Sequence, residues 1–350
     1  MTDSPVRWAL AGYGSGGRIF HAPLIASTDS LELVAILTSS PQRQAQVEHD
    51  FPDVRTTTEL AELPASGIQG VTITTPPATH PDLAHQALDL GLDVVVDKPF
   101  ALDAAAAAEL VDHARSAGRM LTVYQNRRWD ADFLTIRSLV DAGTLGAVHR
   151  FTSRIDRFSP VKAGWATDVK DGGGTLLDLG PHLIDQALQL FGPVARLHAQ
   201  LRTIRPGSGA EDEIELHLEH VGGVFSTLAA GMATAARGPR FQVNGSTGGY
   251  LVSGFDVQEA QLKAGDSPRT LGDGWGVENP AAYGTLTTAQ GSAPEPSRRG
   301  RWDTFYPAVA AAVRGAGAAP VDPADAVETA RVIDAARESA RDQQVVELHG

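Results

Sequence analysis

The first third of the chain alternates short apolar runs with segments of helical period. Val6–Ala11, Leu31–Thr38, Gly70–Thr74 and Leu92–Val96 are apolar stretches bounded by glycine or polar turns, the pattern of strands buried on both faces. Between them, Pro81–Leu90 follows Thr79-His80, and Asp103 stands as an N-cap before the alanine-rich run Ala104–Ala117, which Gly118 ends. Leu110, Val111 and Ala114 give that run an apolar stripe, so it reads as a helix packed on a sheet rather than as a linker. Strands alternating with helices predict a parallel, doubly wound α/β sheet.

The pattern changes after about Val123. Ala131–Asp141 reads as a helix, and Val148–Ile155, Ala195–Ile204, Glu213–His220, Gly223–Ala229 and Arg240–Asn244 alternate apolar with polar positions across turn-like joints. This predicts an α+β domain with a large, mostly antiparallel open sheet, one face on helices and the other free. The Gly-, Pro- and Ser-rich stretch from Gly272 to Gly300 predicts a long loop, and Trp302–Arg314 and Pro323–Arg341 predict two closing helices. The expected division is therefore one domain over residues 1–122 and a second over 123–350.

Length and composition narrow the function without naming it. A chain of 350 residues exceeds what one hydrophobic core usually serves, which agrees with two domains. A net charge of −13 repels phosphate backbones and anionic lipid, so neither nucleic acid nor a membrane surface is an expected partner. The start, Met1-Thr2-Asp3-Ser4-Pro5, carries no basic region followed by an apolar segment, and no signal peptide is expected. Cysteine is absent, which excludes disulfides, thiolate nucleophiles and cysteine-bound metal and fits a cytoplasmic location.

Gly12-x-Gly14-x-x-Gly17 directly follows the first predicted strand and opens a helix. The first glycine allows a tight turn, the second lets the backbone approach a pyrophosphate, and the third lets helix and strand pack closely. The helix N-terminus adds unpaired N–H groups and a positive dipole end. In that context the motif predicts a Rossmann dinucleotide site. The second strand ends Thr38-Ser39-Ser40-Pro41-Gln42-Arg43, with no Asp or Glu to accept hydrogen bonds from a ribose 2′-OH. Hydroxyls and an arginine suit a 2′-phosphate. Ser39, Ser40 and Arg43 are therefore the expected contacts of NADP, preferred over NAD, unless Arg43 simply faces solvent.

Two further clusters carry chemistry. Asp97-Lys98-Pro99 stands at the C-terminal end of the fourth predicted strand, where open α/β sheets bind ligands; a surface lysine at a strand end is the alternative. The second cluster is Gly172-Gly173-Gly174-Thr175-Leu176-Leu177-Asp178-Leu179-Gly180-Pro181-His182-Leu183-Ile184-Asp185. Asp178, His182 and Asp185 recur at i, i+4 and i+7 and share one helix face. A carboxylate one turn from an imidazole can orient it and stabilise its protonated form. The cluster offers too few ligands for a metal, and none is expected.

The succession GxGxxG, (D/E)KP and GGGxLxDxGxHxxD resembles the Gfo/Idh/MocA, or glucose-fructose oxidoreductase, family over essentially the whole chain. Gly17-Arg18-Ile19-Phe20-His21-Ala22-Pro23-Leu24, Asn126-Arg127-Arg128-Trp129-Asp130, Gly238-Pro239-Arg240 and Leu286-Thr287-Thr288 are similar to the branch containing NADP-dependent scyllo-inositol dehydrogenases. The resemblance implies hydride transfer between NADP(H) and a CH–OH or carbonyl of a cyclic polyol or sugar. It implies that His182 exchanges the hydroxyl proton, Asp178 positions His182 or binds a hydroxyl, and Lys98 polarises the oxygen and helps hold the nicotinamide. Arg18, Thr74, Thr75, Pro76 and His80 join the expected cofactor contacts. Arg128, Trp129, Trp165 and Asp185 are expected near substrate, although Arg127 or Arg128 equally suits a structural ion pair and Trp165 a core position. The resemblance also implies a homodimer or homotetramer. Three positions depart from the family pattern: Asp97 where Glu is commoner, Gln125 where His is expected, and Ser40 where a basic residue is expected. A non-catalytic NADP sensor and a glycosidase using the dinucleotide as a transient oxidant are the competing functions.

Overall fold

The computed structural model describes residues 4–161 and 167–348; Trp165 lies outside them. The chain forms two compact units, neither continuous in sequence. The first comprises Met1–Asn126, Gln258–Trp275 and Arg301–Val327, and the second Arg127–Val257, Gly276–Gly300 and Glu328–Gly350.

The first unit holds six strands, β1 (Val6–Ala11), β2 (Leu31–Leu37), β3 (Arg55–Thr57), β4 (Gly70–Ile73), β5 (Asp93–Val96) and β6 (Leu121–Val123). They form a wholly parallel sheet in the order β3-β2-β1-β4-β5-β6. The central runs have no exposed face: Leu10, Ile36, Val71, Ile73 and Val94–Val96 are all buried. The chain reverses its direction of travel across the sheet between β1 and β4, which opens the crevice where such folds bind ligands. Four helices follow these strands: α1 (Ala22–Ala26), α2 (Pro41–Asp50), α3 (His80–Asp89) and α4 (Ala104–Ala117). The alanine-rich run is a helix because both ends are secured. The Asp103 carboxylate accepts from the Ala106 N–H, and Gly118 closes the other end at φ 62°. Later segments complete the unit. Thr122 Oγ1 donates to the Val321 carbonyl at 2.7 Å and accepts from its N–H at 3.2 Å.

The second unit is a nine-stranded sheet of β7 (Val148–Asp156), β8 (Val194–Arg202), β9 (Glu213–His220), β10 (Phe225–Gly231), β11 (Phe241–Gly245), β12 (Gly248–Val252), β13 (Gly284–Thr288), β14 (Gly291–Glu295) and β15 (Val346–Glu347). Its order is β14-β13-β12-β11-β7-β10-β9-β8-β15, antiparallel throughout except where β10 runs parallel to β7. Strand β9 shows the two faces: Ile214, Leu216 and Leu218 are buried, while His217 between them is exposed. The helices include α5 (Ala131–Asp141), α6 (Thr175–Asp178) and α7 (Gly180–Phe191); α6 packs on β9 and β10, and α7 on β10.

The expectation of a long loop over Gly272–Gly300 is corrected here, because the stretch contains the β13–β14 hairpin, and β13 pairs with β12. Thr285 and Thr287 are exposed and Leu286 is only half-buried, so backbone pairing rather than burial makes the strand. Gly291 enters β14 at φ +123°, a conformation that side chains disfavour. Among the described residues no helix is long and apolar enough to cross a membrane.

Candidate functional site

The glycine loop separates three roles by geometry. Gly12 has φ +100°, and a Cβ there would stand 2.9 Å from the Thr74 backbone. A Cβ on Gly17 would fall 2.2 Å from the Gly12 carbonyl oxygen, so this position tolerates no side chain. Gly14 is open by contrast: its Cβ would meet only the Arg43 guanidinium, at 3.7 Å. The loop is thus packed on its inner side and accessible at the glycine where a phosphate must approach. Thr74 secures it from β4, its hydroxyl donating to the Ala11 and Gly12 carbonyls at 3.1 and 3.0 Å. The segment after the loop, Gly16–His21, is a π-type turn that leads into α1.

A cavity of about 670 Å³ adjoins the loop, lined in part by Tyr13, Gly14, Ser15, Arg18, Arg43 and Lys263. Arg43 is exposed and makes no ion pair among the described residues, and α2 has no acidic residue in its first turn. Ser39 is also exposed. Ser40 is committed locally: it caps α2, its hydroxyl accepting from the Arg43 N–H at 3.4 Å. Arg18 is paired, its Nε 2.7 Å from an Asp50 carboxylate that also accepts from the Tyr13 hydroxyl at 2.9 Å. Hydrogen bonds from Arg18, His49 and Tyr13 hold the Asp50 carboxyl down at about 2 against burial. These groups fit a dinucleotide: a bare glycine backbone for the pyrophosphate and an uncommitted guanidinium for a 2′-phosphate.

Thr75 and Pro76 follow β4, and the Thr75 hydroxyl hydrogen-bonds to that of Thr79 at 2.6 Å. His80 is placed differently from a cofactor-lining residue. It is buried, with Nδ1 2.8 Å from the Pro99 carbonyl and Nε2 2.8 Å from the Thr75 carbonyl, so it ties the loop after β4 to the loop after β5. Burial pushes this imidazole down, while Asp97 and the two carbonyls pull the other way. Lys98 is half-buried at the end of β5, and its N–H donates to Asp97 Oδ1 at 2.8 Å.

In the second unit, Gly174 takes φ +109° and its missing Cβ makes room for Glu211, whose carboxylate would lie 2.3 Å away. Glu211 then serves the buried N-terminal end of α6, its backbone carbonyl accepting from the Thr175 N–H and its carboxylate from the Leu176 N–H at 3.1 Å. This cap is invisible in the sequence because its acceptor lies 35 residues away. The Asp178-to-Asp185 stretch is not one unbroken helix. It is interrupted at Leu179 between α6 and α7, because Pro181 has no N–H to continue the ladder. His182 and Asp185 are buried and Asp178 half-buried.

Asp185 is held by Arg128, whose Nε lies 2.9 Å from Oδ2 while Nη2 donates to Oδ1. This two-pronged pair occupies both oxygens of a residue expected to bind substrate hydroxyls. Trp129 is half-buried beside it in the turn Asn126–Trp129. The next residue of α7, Gln186, links further groups. Its amide donates to the Arg127 carbonyl at 2.9 Å and accepts from Arg240 Nη2 at 2.8 Å. Arg240 is fully buried, also donates to Ser153 Oγ at 2.6 Å, and stacks 3.8 Å from the Phe241 ring centroid. Burial pulls this guanidinium down to about 10, which leaves it a cation, and the Asp132 carboxylate 3.7 Å away opposes that shift. The sequence singled out Gly238-Pro239-Arg240 only as a resemblance; its buried anchoring of the site helix was not legible there.

Comparison with known proteins converges on one family. The profile described as "Oxidoreductase family, NAD-binding Rossmann fold" matches residues 6–125, and the GFO/IDH/MocA C-terminal domain profile matches residues 133–251. The chain is 35% identical to scyllo-inositol 2-dehydrogenase (NADP(+)) IolW of Bacillus subtilis, aligned over 98% of this chain and 96% of that protein. It is 38% identical to the oxidoreductase YdgJ of Escherichia coli over 97% of this chain and 98% of that one. The solved structure of the oxidoreductase YvaA of Bacillus subtilis superposes with a TM-score of 0.92 at 34% identity, covering 99% of both chains.

Proposed function

The chain belongs to the GFO/IDH/MocA oxidoreductases, and from that premise we propose that it is an NADP-dependent dehydrogenase of a cyclic polyol or sugar, with scyllo-inositol the first substrate to try. The observation that carries the cofactor reading is the turn between β2 and α2, where no carboxylate stands and the Arg43 guanidinium lies over Gly14. The substrate reading is supported by the near full-length similarity to a scyllo-inositol dehydrogenase.

When bound, the nicotinamide supplies the hydride acceptor or donor. The chain's own residues do the rest. The glycine loop binds the pyrophosphate through its backbone, and Arg43 and Ser39 bind the 2′-phosphate. His182 takes the hydroxyl proton during oxidation and returns it during reduction, with Asp178 orienting the imidazole. Lys98 donates to the substrate oxygen as negative charge gathers on it. Arg128 fixes Asp185 so that its carboxylate shapes the site rather than accepting freely from substrate hydroxyls. The open face of the nine-stranded sheet pairs with a second copy of the chain, and the protein works in the cytoplasm.

The test is nicotinamide absorbance, crossing NADP and NAD against inositols, aldoses and keto-inositols, on protein whose assembly state is read by sizing. Turnover with NADP and scyllo-inositol, and weak turnover with NAD, is expected. Arg43→Ala should raise the KM for NADP by about 10- to 100-fold, the worth of a charged hydrogen bond, and leave NAD unchanged. Equal use of NAD, unaltered by Arg43→Ala, would overturn the cofactor reading; NADPH binding without turnover on any polyol would overturn the enzymatic one.

A further inference from the structure

The first unit contains a buried chain of polar groups that the proposed reaction does not use and that ends at Lys98. Trp8 Nε1 donates to Thr72 Oγ1 at 2.9 Å. Thr72 Oγ1 lies 3.2 Å from the Tyr306 hydroxyl, which lies 2.6 Å from His21 Nδ1. His21 Nε2 faces Asp97 Oδ2 at 3.5 Å, and Asp97 Oδ1 accepts from the Lys98 N–H at 2.8 Å. Trp8, Thr72, His21 and Tyr306 are all within 1% of complete burial, so water does not complete their hydrogen bonds.

The two ends of this chain set its direction. An indole N–H only donates, so Thr72 accepts from Trp8, and a carboxylate only accepts, so an imidazole with one ring proton directs it from Nε2 toward Asp97 and accepts at Nδ1. The consistent arrangement has Thr72 donating to Tyr306 and Tyr306 donating to Nδ1 of His21. The imidazole proton is then on Nε2, aimed at Asp97. Burial pushes the Tyr306 hydroxyl above its ordinary value, which keeps it a donor. Asp97 is pressed upward by burial, but the His21 hydrogen bond and the charges of His21, Lys98 and His80 hold it below the usual carboxylate range. Three groups face His21: the Tyr306 hydroxyl, the Tyr124 ring at 4.2 Å between centroids, and the Asp97 carboxylate, which at 3.5 Å is a charge contact to a buried Nε2 that makes no closer hydrogen bond. Asp97 also stands against the glycine loop, with Oδ2 3.2 Å from where a Cβ on Gly16 would be.

We propose that His21 is a positioning residue for the reaction, acting on Lys98 through Asp97, with Tyr306 fixing the tautomer that points its proton at the carboxylate. The inference rests on the role given to Lys98 above. His21 holds Asp97 in place as an anion; Asp97 in turn fixes the Lys98 backbone and supplies the negative charge beside its ammonium.

The experiment compares wild type with Tyr306→Phe, His21→Asn and Lys98→Met, each checked for folding by circular dichroism. Tyr306→Phe removes one oxygen from an otherwise unchanged core and is the decisive variant. In cofactor-free protein, ¹⁵N spectra should show the His21 resonances, identified by their loss in His21→Asn, moving from a single Nε2–H tautomer to a mixture in Tyr306→Phe. The acylation rate of Lys98, read by peptide mapping, should rise several-fold in His21→Asn as the neighbouring carboxylate loses its anchor. In turnover, kcat should fall about 10- to 100-fold in His21→Asn, as for a sub-ångström to ångström displacement of a reacting group, with the KM for NADP little changed. Wild-type tautomer, Lys98 labelling and kcat in both variants would overturn the proposal. Lys98→Met distinguishes the two levels: if it retains turnover, the role of Lys98 itself fails, and if it alone abolishes turnover, only the link through His21 fails.

Discussion

The two units build their candidate sites by opposite means. In the first, the glycine loop is shaped by excluded volume: Gly17 has no room for a methyl group, and the charged side chains around the loop, Arg18, Asp50 and Arg43, stand at or near solvent. In the second, α7 is anchored by charge. Arg128 with Asp185 and Arg240 with Asp132 are each less than 10% exposed, and Gln186 ties Arg240 to the Arg127 carbonyl. Excluded volume suits a backbone that a phosphate must approach from one side. Buried charge suits side chains that must keep one orientation, because a displaced charge has no water to turn to. The first site should therefore fail when atoms are added, and the second when charges are removed.

The largest effect should come from one methyl group. Gly17→Ala is expected to abolish nucleotide binding and lower the melting temperature by several degrees, because its Cβ drives into the Gly12 carbonyl. Gly14→Ala, with open space at the same loop, should keep the wild-type melting temperature and weaken binding alone. Equal melting temperatures for the two variants would break the volume argument. Next, Arg240→Met should cost about 3–5 kcal/mol in urea unfolding by leaving Asp132 buried without its cation. Arg240→Met with Asp132→Leu should recover much of that loss, since a well-packed apolar pair can replace a buried ionic one. If the single variant unfolds at the wild-type urea concentration, charge is not what anchors α7. The smallest effect belongs to the partly exposed pair in the first unit. The Asp50 carboxyl is held at about 2 against an ordinary 3.8. Its contribution is thus fully present above about pH 4 and disappears as pH falls through about 2. Asp50→Asn should flatten that acid limb in melting curves; an unchanged limb would mean that Arg18 contributes nothing through the pair.

Much of this was legible in the sequence, for identifiable reasons. The apolar runs of β1, β2, β4 and β5 and the Asp103 and Gly118 caps depend on neighbours along the chain, and each stands where the pattern places it. Strands β3 and β6 have three residues each, too few to show a period. The β13–β14 hairpin is held by backbone bonds between small and polar residues, whose composition reads as loop. The glycine motif was legible because its constraints are local. The buried polar groups were not: His21 meets Tyr306 across 285 positions, and Arg240 meets Gln186 across 54. Such pairings are set by packing, and a single sequence does not display them. For the same reason the sequence offers Arg18, Ser40 and His80 only as expected cofactor contacts and Asp185 as an expected substrate contact, while their partners Asp50, the α2 N-terminus, two carbonyls and Arg128 emerge only in three dimensions.

The discontinuity of the first unit bears on how the protein is made. Its sheet is finished by residue 123, yet Tyr306 and Val321, which satisfy buried groups on His21 and Thr122, belong to a segment ending at Val327. A chain emerging from the ribosome must therefore be translated past Val321 before this unit can close its last buried hydrogen bonds. Until then Thr72 and His21 lack their Tyr306 partner, and the nascent protein carries an unfinished core through the synthesis of about two hundred further residues.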